Sequence, residues 1–398
     1  MRLCRVFSLP VFVAWCILDG PRPCTRASAF HIPKVVVSRC IRNSQSATLS
    51  STVLGVKIDK GFNLLELAGG VVPQGNLVKT AKEGWKFIWK RMMAELAPQD
   101  ETGNYQRPSY KFQGRLGTTE FPDEAGRYHL YLGNPCPWCH RCLLAVNLLN
   151  LRDGISLTRL EDNPEKASRG GWIFSATDRD PFGNKDLREV YDQLSPGYRG
   201  RCTAPLLVDK KSRSIVSNES SDIVRMLNSV RLGGDPGIQR FNLYPEELTQ
   251  EIDKTNEWVY DMVNNGVYRC GFATTQAAYD EASSSVREGL AKVEKQLYNR
   301  NFLLGDQFSE ADLRLLPTML RFDCAYAPLF RAGGAHLRIR SDYPEIYAWL
   351  KRCWGLEGVS SSIDLPDACG SYYRQLFPLN PSGIVPTPVT AASLGLER

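Results

Sequence analysis

The sequence lacks the long apolar runs of membrane proteins and has few histidines. No apolar run reaches the roughly 18 residues that a membrane-spanning helix needs. Histidine is scarce, at four among 398 residues, and only His140 lies near the cysteine cluster at Cys136, Cys139 and Cys142. A zinc site requires a second pair of Cys or His residues at ligand spacing. We therefore expect no membrane span and no metal site.

The body of the chain also lacks an excess of charge of either sign. The formal net charge is +6. Residues 1–55 carry seven basic side chains and one acid, which accounts for the whole excess and leaves 42 of each sign elsewhere. A neutral body has no electrostatic footprint for a polyanion. We therefore expect no nucleic-acid partner.

The first 55 residues have the composition of a targeting sequence. Two arginines precede the apolar stretch Val6–Leu18, and Ala27-Ser28-Ala29 has the pattern of a signal-peptide cleavage site. Residues 30–55 begin with Phe, are rich in Ser and Thr, and contain no acid, as in transit peptides. The arrangement resembles the bipartite presequence of secondary plastids. We expect a signal peptide over about 1–29, a transit peptide after it, and a plastid location, with a plain secretory signal as the alternative.

The remaining chain divides into units of different character. Strand and helix patterns follow in the order β-α-β-α-β-β-α from Tyr128, and helical spacing dominates after Pro245. Ser309 and Asp312 have the spacing of a helix capping box. The predicted units are an N-terminal extension over 56–120 with a helix around Thr80–Leu96, an α/β domain over 121–229, a linker over 230–245, an α-helical domain over 246–375 and a Pro-rich tail over 376–398.

Cysteine is abundant, at twelve residues, but its distribution does not indicate a disulfide framework. Four cysteines lie in the presequence and eight in a body large enough to fold without disulfides. Cys136 lies between two prolines where a strand meets a helix, among unpaired N–H groups and the positive end of the helix dipole. Both favour the thiolate, the nucleophile of disulfide exchange. Cys139, one helical turn later, is either a resolving thiol or a packing residue.

Two further junctions are typical of a site for a zwitterionic peptide. Ala204-Pro205 opens an apolar strand, where a cis bond would leave the backbone of Ala204 free to pair with a ligand; an edge-strand proline is the alternative. Glu219 and Ser220 begin a helix, where N–H groups and a hydroxyl suit a carboxylate and Glu219 suits an ammonium. Plain N-capping explains the same residues equally well.

Together these motifs resemble the glutathionyl-hydroquinone reductases, the xi class of the glutathione transferases. The resemblance covers residues of about 75–387 and includes motifs in both domains: Cys136-Pro137-Trp138, Gly171-Trp172-Ile173-Phe174, Ala204-Pro205, Asn256-Glu257-Trp258, Arg321-Phe322-Asp323 and Asn380-Pro381. It implies a thioredoxin-like domain followed by an α-helical glutathione-transferase domain, and a homodimer. It also implies glutathione as co-substrate, with no tightly bound cofactor.

The resemblance assigns roles to individual residues. It implies that Cys136 takes glutathione from a glutathionyl-hydroquinone as a mixed disulfide, which a second glutathione resolves. Trp172, Ala204, Glu219 and Ser220 match glutathione-binding positions, and Tyr268, Tyr372 and Tyr373 match tyrosines that contact the hydroquinone.

This chain departs from the family pattern at three places. Cys139 and Ala204 replace the usual Ala and Val, and the stretch from Cys324 differs. The first departure leaves a glutaredoxin-like dithiol thiol transferase as one alternative function. A catalytically silent binding module on the same scaffold is the other.

Overall fold

The computed structural model describes residues 73–168, 170–234 and 241–397. The presequence predicted over 1–55 lies outside this part of the chain, as do the first residues of the predicted extension and the middle of the predicted linker. No helix of the described residues is both long enough and apolar enough to cross a bilayer.

The α/β part of the chain is built on a mixed sheet. Its strands are β1 (Tyr128–Gly133), β2 (Ser156–Asp162), β3 (Trp172–Phe174), β4 (Leu206–Asp209) and β5 (Ser214–Ser217), in the order β3-β2-β1-β4-β5. β1 pairs in parallel with β2 and antiparallel with β4. Every residue of the central β1 is buried, because helices cover both faces of the sheet.

The extension and the α/β domain both contain helices, and the helix predicted around Thr80–Leu96 begins earlier, at Gln74. The helices are α1 (Gln74–Leu96) in the extension, α2 (Pro137–Leu148), α3 (Leu187–Leu194) and α4 (Ser220–Ser229). The sequence pattern missed only β3, a three-residue edge strand that pairs antiparallel with β2. So short a strand has too few residues to show an alternating pattern.

The second part of the chain is helical, as the sequence predicts. It contains α5 (Thr249–Val259), α6 (Gly266–Phe272), α7 (Gln276–Leu297), α8 (Glu310–Arg321), α9 (Ala327–Phe330), α10 (Ile339–Asp342), α11 (Pro344–Trp354) and α12 (Leu365–Gln375). The capping box of Ser309 and Asp312 is present at the start of α8. Short π-helical segments follow α5 (Tyr260–Asn264) and α8 (Phe322–Tyr326).

The N-terminal extension continues along the edge of the sheet. The N–H of Gly114 donates to the carbonyl of Val216 at 2.9 Å, and Gln113 forms a bridge with Ser217 of β5. This path carries the segment around Arg107 to the beginning of α4.

The body of the chain, which the sequence indicates is large enough to fold without disulfides, nevertheless contains one. Cys324, in the π-helical segment after α8, is bonded to Cys369 of α12. The two residues are 45 apart in sequence, and only the packing of α12 against the π-helical segment brings them together. Cys136, Cys139, Cys142, Cys270 and Cys353 are free thiols.

Candidate active site

Cys136 is the N-cap residue of α2, at the point where β1 ends. Its Sγ accepts the backbone N–H of Cys139 at 3.4 Å, and Pro137 occupies the first helical position, where the N–H it lacks would have no helical partner. The sulfur therefore lies among the unpaired donors of the helix terminus. This is the position that the sequence predicts for a thiolate nucleophile.

The pKa of Cys136 is lower than that of an ordinary thiol. Burial acts to raise this pKa, but hydrogen bonds from Cys139 and the backbone N–H of Trp138, together with the positive charge of Arg321, outweigh it. Each of these contacts favours the charged form. The thiolate of Cys136 is therefore more stable in this site than the thiolate of a cysteine in water.

Arg321, at the end of α8, clamps the loop that carries Cys136. Its side chain is fully buried and donates to the carbonyls of Asn134 at 2.8 Å and Pro135 at 3.0 Å. A third contact reaches Nδ1 of His140 at 3.1 Å. The helical domain thereby orients the nucleophile of the α/β domain.

Cys139 is buried behind Cys136. Burial and the hydrogen bond to Cys136 raise the pKa of Cys139 well above its ordinary value, so this residue remains a thiol and acts as a donor. Cys142, one turn further, is also buried, and burial raises its pKa well above the usual range. Neither residue is poised to act as a thiolate while Cys136 carries the charge.

Trp172 lies against the end of β1, directly before the catalytic loop. A Cβ atom at Gly133 would lie 2.3 Å from the Trp172 ring, so only glycine allows this packing. β3 therefore presents the partly buried indole of Trp172 at the strand end from which Cys136 emerges.

The predicted cis peptide bond between Ala204 and Pro205 is present. The carbonyl of Ala204 accepts a hydrogen bond from the Cys136 thiol at a donor–acceptor distance of 3.6 Å. The backbone of Ala204 and the nucleophile are therefore direct neighbours.

Glu219 and Ser220 begin α4 beside a cavity of about 550 Å³. Glu219 is the N-cap: its Oε1 accepts the N–H of Ser221 at 3.1 Å and the hydroxyl of Ser220 at 3.2 Å. Its Oε2 faces Arg107 at 3.2 Å. Burial acts to raise the pKa of Glu219, but Arg107 and the Ser221 N–H outweigh it, so the pKa is lowered. Glu219 therefore caps α4 with one carboxylate oxygen and pairs with Arg107 through the other.

Of the predicted aromatic positions, the structure brings Tyr268 and Tyr372 together and leaves Tyr373 apart. The hydroxyls of Tyr268 and Tyr372 are 2.9 Å apart, and Tyr326 joins them at 2.7 Å from Tyr372 and 3.2 Å from Tyr268. The hydroxyl of Tyr373 instead donates to the carbonyl of Cys324 at 3.0 Å. Burial raises the pKa of Tyr268 and Tyr372 well above the ordinary value, so the cluster supplies protons or hydrogen bonds and no charge.

This hydroxyl cluster packs against Trp138, two residues after the nucleophile. The ring of Tyr268 stacks near that of Trp138, with centroids 6.1 Å apart. The pKa of Tyr326 is raised, by burial first and also by the charge of Cys136. A nucleophilic sulfur and a set of phenolic donors therefore lie at the boundary of the two domains.

Three residues of the site were not singled out from the sequence. Tyr326 lies in the stretch that departs from the family pattern, and Arg107 lies in the extension, where no motif marks it. Arg321 belongs to the motif Arg321-Phe322-Asp323, to which the sequence pattern assigns no function. Of these three residues, only Arg321 lies in a sequence motif that could have indicated a role in the site.

Comparison with protein families supports this arrangement. Residues 135–230 match the family model of the glutathione S-transferase N-terminal domain, and residues 276–352 match that of the C-terminal domain. The chain is 38% identical over 299 residues to the glutathionyl-hydroquinone reductase YqjG of Escherichia coli, covering 71% of this chain and 88% of that protein. It is 40% identical over 290 residues to the glutathionyl-hydroquinone reductase PcpF of Sphingobium chlorophenolicum, covering 71% and 89%.

Solved structures with the same fold include two relevant relatives. The xi glutathione S-transferase of Phanerochaete chrysosporium superimposes with a TM-score of 0.68 at 37% identity, over 73% of this chain and 94% of that one. The glutathione-bound structure of YqjG superimposes with a TM-score of 0.64 at 37% identity, over 70% and 93%.

Proposed function

This chain belongs to the glutathione transferases of the xi class, among the glutathionyl-hydroquinone reductases, and we propose that it removes glutathione from a glutathionyl-hydroquinone through a mixed disulfide on Cys136. The observation that carries the proposal is the position of the Cys136 sulfur at the beginning of α2, where its pKa is lowered. Glutathione is the co-substrate, and the enzyme needs no tightly bound cofactor.

In the first step, the Cys136 thiolate attacks the sulfur that joins glutathione to the aromatic ring. A sulfur–sulfur bond forms, and the carbon–sulfur bond breaks. The electron pair of the broken bond passes to the ring, which takes up a proton and leaves as the hydroquinone. Tyr268, Tyr326 and Tyr372 stabilise the phenolic oxygen by hydrogen bonds, because their hydroxyls remain protonated.

In the second step, a free glutathione resolves the mixed disulfide. Its thiolate attacks the sulfur of the bound glutathione, and Cys136 leaves as the thiolate. The products of the two steps are hydroquinone and oxidised glutathione, and the enzyme returns to its starting state. Cys139 takes no obligatory part, because its raised pKa disfavours the thiolate that a resolving attack needs.

We assign glutathione to the surface that runs from Ala204, beside the Cys136 sulfur, to the cavity at the beginning of α4. The backbone of Ala204 pairs with the peptide, Glu219 and Ser220 hold its γ-glutamyl end, and Trp172 covers it. The distance of 3.6 Å between Cys136 Sγ and the Ala204 carbonyl supports this assignment, since a peptide paired there has its own sulfur beside the nucleophile.

Substitution of Cys136 tests the function directly. The wild-type protein is incubated with oxidised glutathione and measured by intact mass, and turnover of a glutathionyl-hydroquinone is followed separately. We expect one glutathione per chain in the wild type, and neither adduct nor turnover in Cys136→Ser, since a serine hydroxyl is too weakly acidic for this attack. Retention of more than a few per cent of the activity in Cys136→Ser would contradict the proposal.

The alternative functions predict different results in the same experiments. A glutaredoxin-like enzyme would reduce a protein–glutathione mixed disulfide faster than a glutathionyl-hydroquinone. A silent binding module would bind glutathione without forming an adduct. The similarity to the glutathionyl-hydroquinone reductases YqjG and PcpF favours neither the glutaredoxin-like enzyme nor the silent binding module.

We also propose a plastid location and a homodimer, as the sequence predicts. The composition of residues 1–55 supports the location, and the xi-class resemblance supports the dimer. A fluorescent fusion of residues 1–55 should enter the plastid of an alga with a secondary plastid, and Phe30→Ala should divert it. A cytosolic signal would refute the plastid location.

The proposed dimer is tested by light scattering. The measured mass should be twice that of the processed chain, and a monomer mass would exclude the dimer.

A further inference from the structure

We infer that Arg107, in the N-terminal extension, recognises the α-carboxylate of the γ-glutamyl residue of glutathione and so determines specificity for this peptide. The inference rests on the proposed glutathione site and adds to it a residue outside the sheet and the helical domain.

Arg107 contacts both α2, the helix that begins after Cys136, and the cavity beside α4. Its guanidinium carbon lies 4.1 Å from the ring centroid of Trp138, two residues after Cys136, in a cation–π contact. One guanidinium nitrogen donates to Glu219 Oε2 at 3.2 Å and another to the Tyr260 hydroxyl at 3.4 Å. Arg107 also lines the cavity beside α4, and its side chain is 25% exposed.

Arg107 differs from the two other arginines that line the same cavity. Arg225 and Arg314 both form ion pairs with the buried carboxylate of Glu310, at 3.1 Å and 2.6 Å. Among the described residues, the carboxylate that pairs with Arg107 is that of Glu219, which is the predicted ligand of the peptide ammonium. The binding partner of Arg107 is therefore itself a ligand-binding group.

The charges at this end of the cavity are complementary to a γ-glutamyl zwitterion. In the unliganded chain, Arg107 and Glu219 neutralise each other. When an ammonium contacts Glu219, the guanidinium regains an unbalanced charge beside it, and an α-carboxylate on the same carbon can balance that charge. A guanidinium has five N–H donors, and the contacts to Glu219 and Tyr260 leave donors for the fork geometry that carboxylates prefer.

Glutathione analogues test which charge Arg107 recognises. The probes are S-methylglutathione, its derivative with the γ-glutamyl α-carboxylate converted to an amide, and its derivative with the α-amino group acetylated. Their dissociation constants are measured by calorimetry with the full chain, for the wild type and Arg107→Gln. Arg115→Gln is the matched control, because Arg115 lies in the same extension and pairs with Asp222 of α4 at 3.5 Å.

Our expectation is a specific interaction between the side chain and the carboxylate. Amidation should weaken binding to the wild type and to Arg115→Gln by about tenfold or more, as for other lost charge-assisted hydrogen bonds. In Arg107→Gln this penalty should shrink at least about fivefold, while the penalty for acetylation stays as in the wild type. Arg107→Lys, which keeps the charge but not the planar fork, should retain part of the amide penalty.

Three results would overturn the inference. An amide penalty that is unchanged in both Arg107 variants would mean that the beginning of α4 alone holds the carboxylate. A change confined to the acetylation penalty would mean that Arg107 only orients Glu219. Wild-type protein that fails to bind S-methylglutathione would exclude the site altogether. If S-methylglutathione binds with the expected pattern but no Cys136 adduct forms, the proposed reaction fails and the role of Arg107 stands.

Discussion

The backbone N–H of Cys139 lies 3.4 Å from the sulfur of Cys136, and the neighbourhood of Cys139 lowers the pKa of that sulfur. While Cys136 carries the charge, Cys139 therefore acts as a donor to the nucleophile and not as a second nucleophile. The relationship between these two residues separates a one-thiol from a two-thiol mechanism.

We predict that Cys139→Ala keeps most of the hydroquinone reductase activity at neutral pH but changes its pH dependence. Loss of the thiol donor removes one contact that lowers the Cys136 pKa, so that pKa should rise and the rate of Cys136 alkylation should increase at higher pH than in the wild type. The Cys136–glutathione adduct should also persist longer, because no internal thiol competes to displace it. Loss of reductase activity would instead establish a dithiol mechanism.

Tyr372 and Tyr373 are neighbours that should respond differently to the same substitution. Tyr372→Phe removes a hydroxyl that contacts both Tyr268 and Tyr326, and we expect kcat to fall about tenfold or more. Tyr373→Phe removes only a bond to the Cys324 carbonyl, and kcat should stay near that of the wild type. Steady-state kinetics with a glutathionyl-hydroquinone measure kcat for both variants. An equal decrease of kcat in Tyr372→Phe and Tyr373→Phe would argue against a role of the hydroxyl cluster.

Removal of the Glu219 charge should affect glutathione binding more than the chemical step. Glu219→Gln preserves an oxygen that can cap α4 but loses the charge that attracts the ammonium, so KM for glutathione should rise with little change in kcat. Ser220→Ala should do the same. Glu219→Ala should in addition lower stability by about 1 kcal/mol, because it removes the N-cap. An unchanged KM for glutathione in all three variants would exclude this site.

The disulfide between Cys324 and Cys369 should stabilise the two segments that carry Tyr326 and Tyr372. It connects the segments of Tyr326 and Tyr372 and closes a loop across 45 residues, for which a stabilisation of about 2–4 kcal/mol is typical. Cys324→Ser/Cys369→Ser should therefore melt at a lower temperature than the wild type, and reductant should lower the melting temperature of the wild type only. Non-reducing peptide mapping should find the two cysteines in one linked peptide; two unlinked peptides would contradict the structure.

The sequence alone determined the elements whose signals are local. Cys136, Ala204 and Glu219 each lie where a strand or helix begins, and such boundaries follow from proline, capping residues and the change of hydrophobic period within a few positions. The order of strands and helices and the nucleophile with its lowered pKa follow from these neighbourhoods. The thioredoxin-like and helical domains follow from the resemblance to the family.

Only the tertiary structure decided which distant residues complete the site. Arg321 reaches the Cys136 loop from 185 residues away in the chain, and Arg107 reaches α4 because its segment continues along β5. Tyr372 and Tyr373 are adjacent in sequence, yet a helix turns about 100° per residue, so just one of them faces Tyr268 and Tyr326. Contacts of this kind depend on how whole helices pack, and packing is set by the shapes of many side chains together, which no local pattern records.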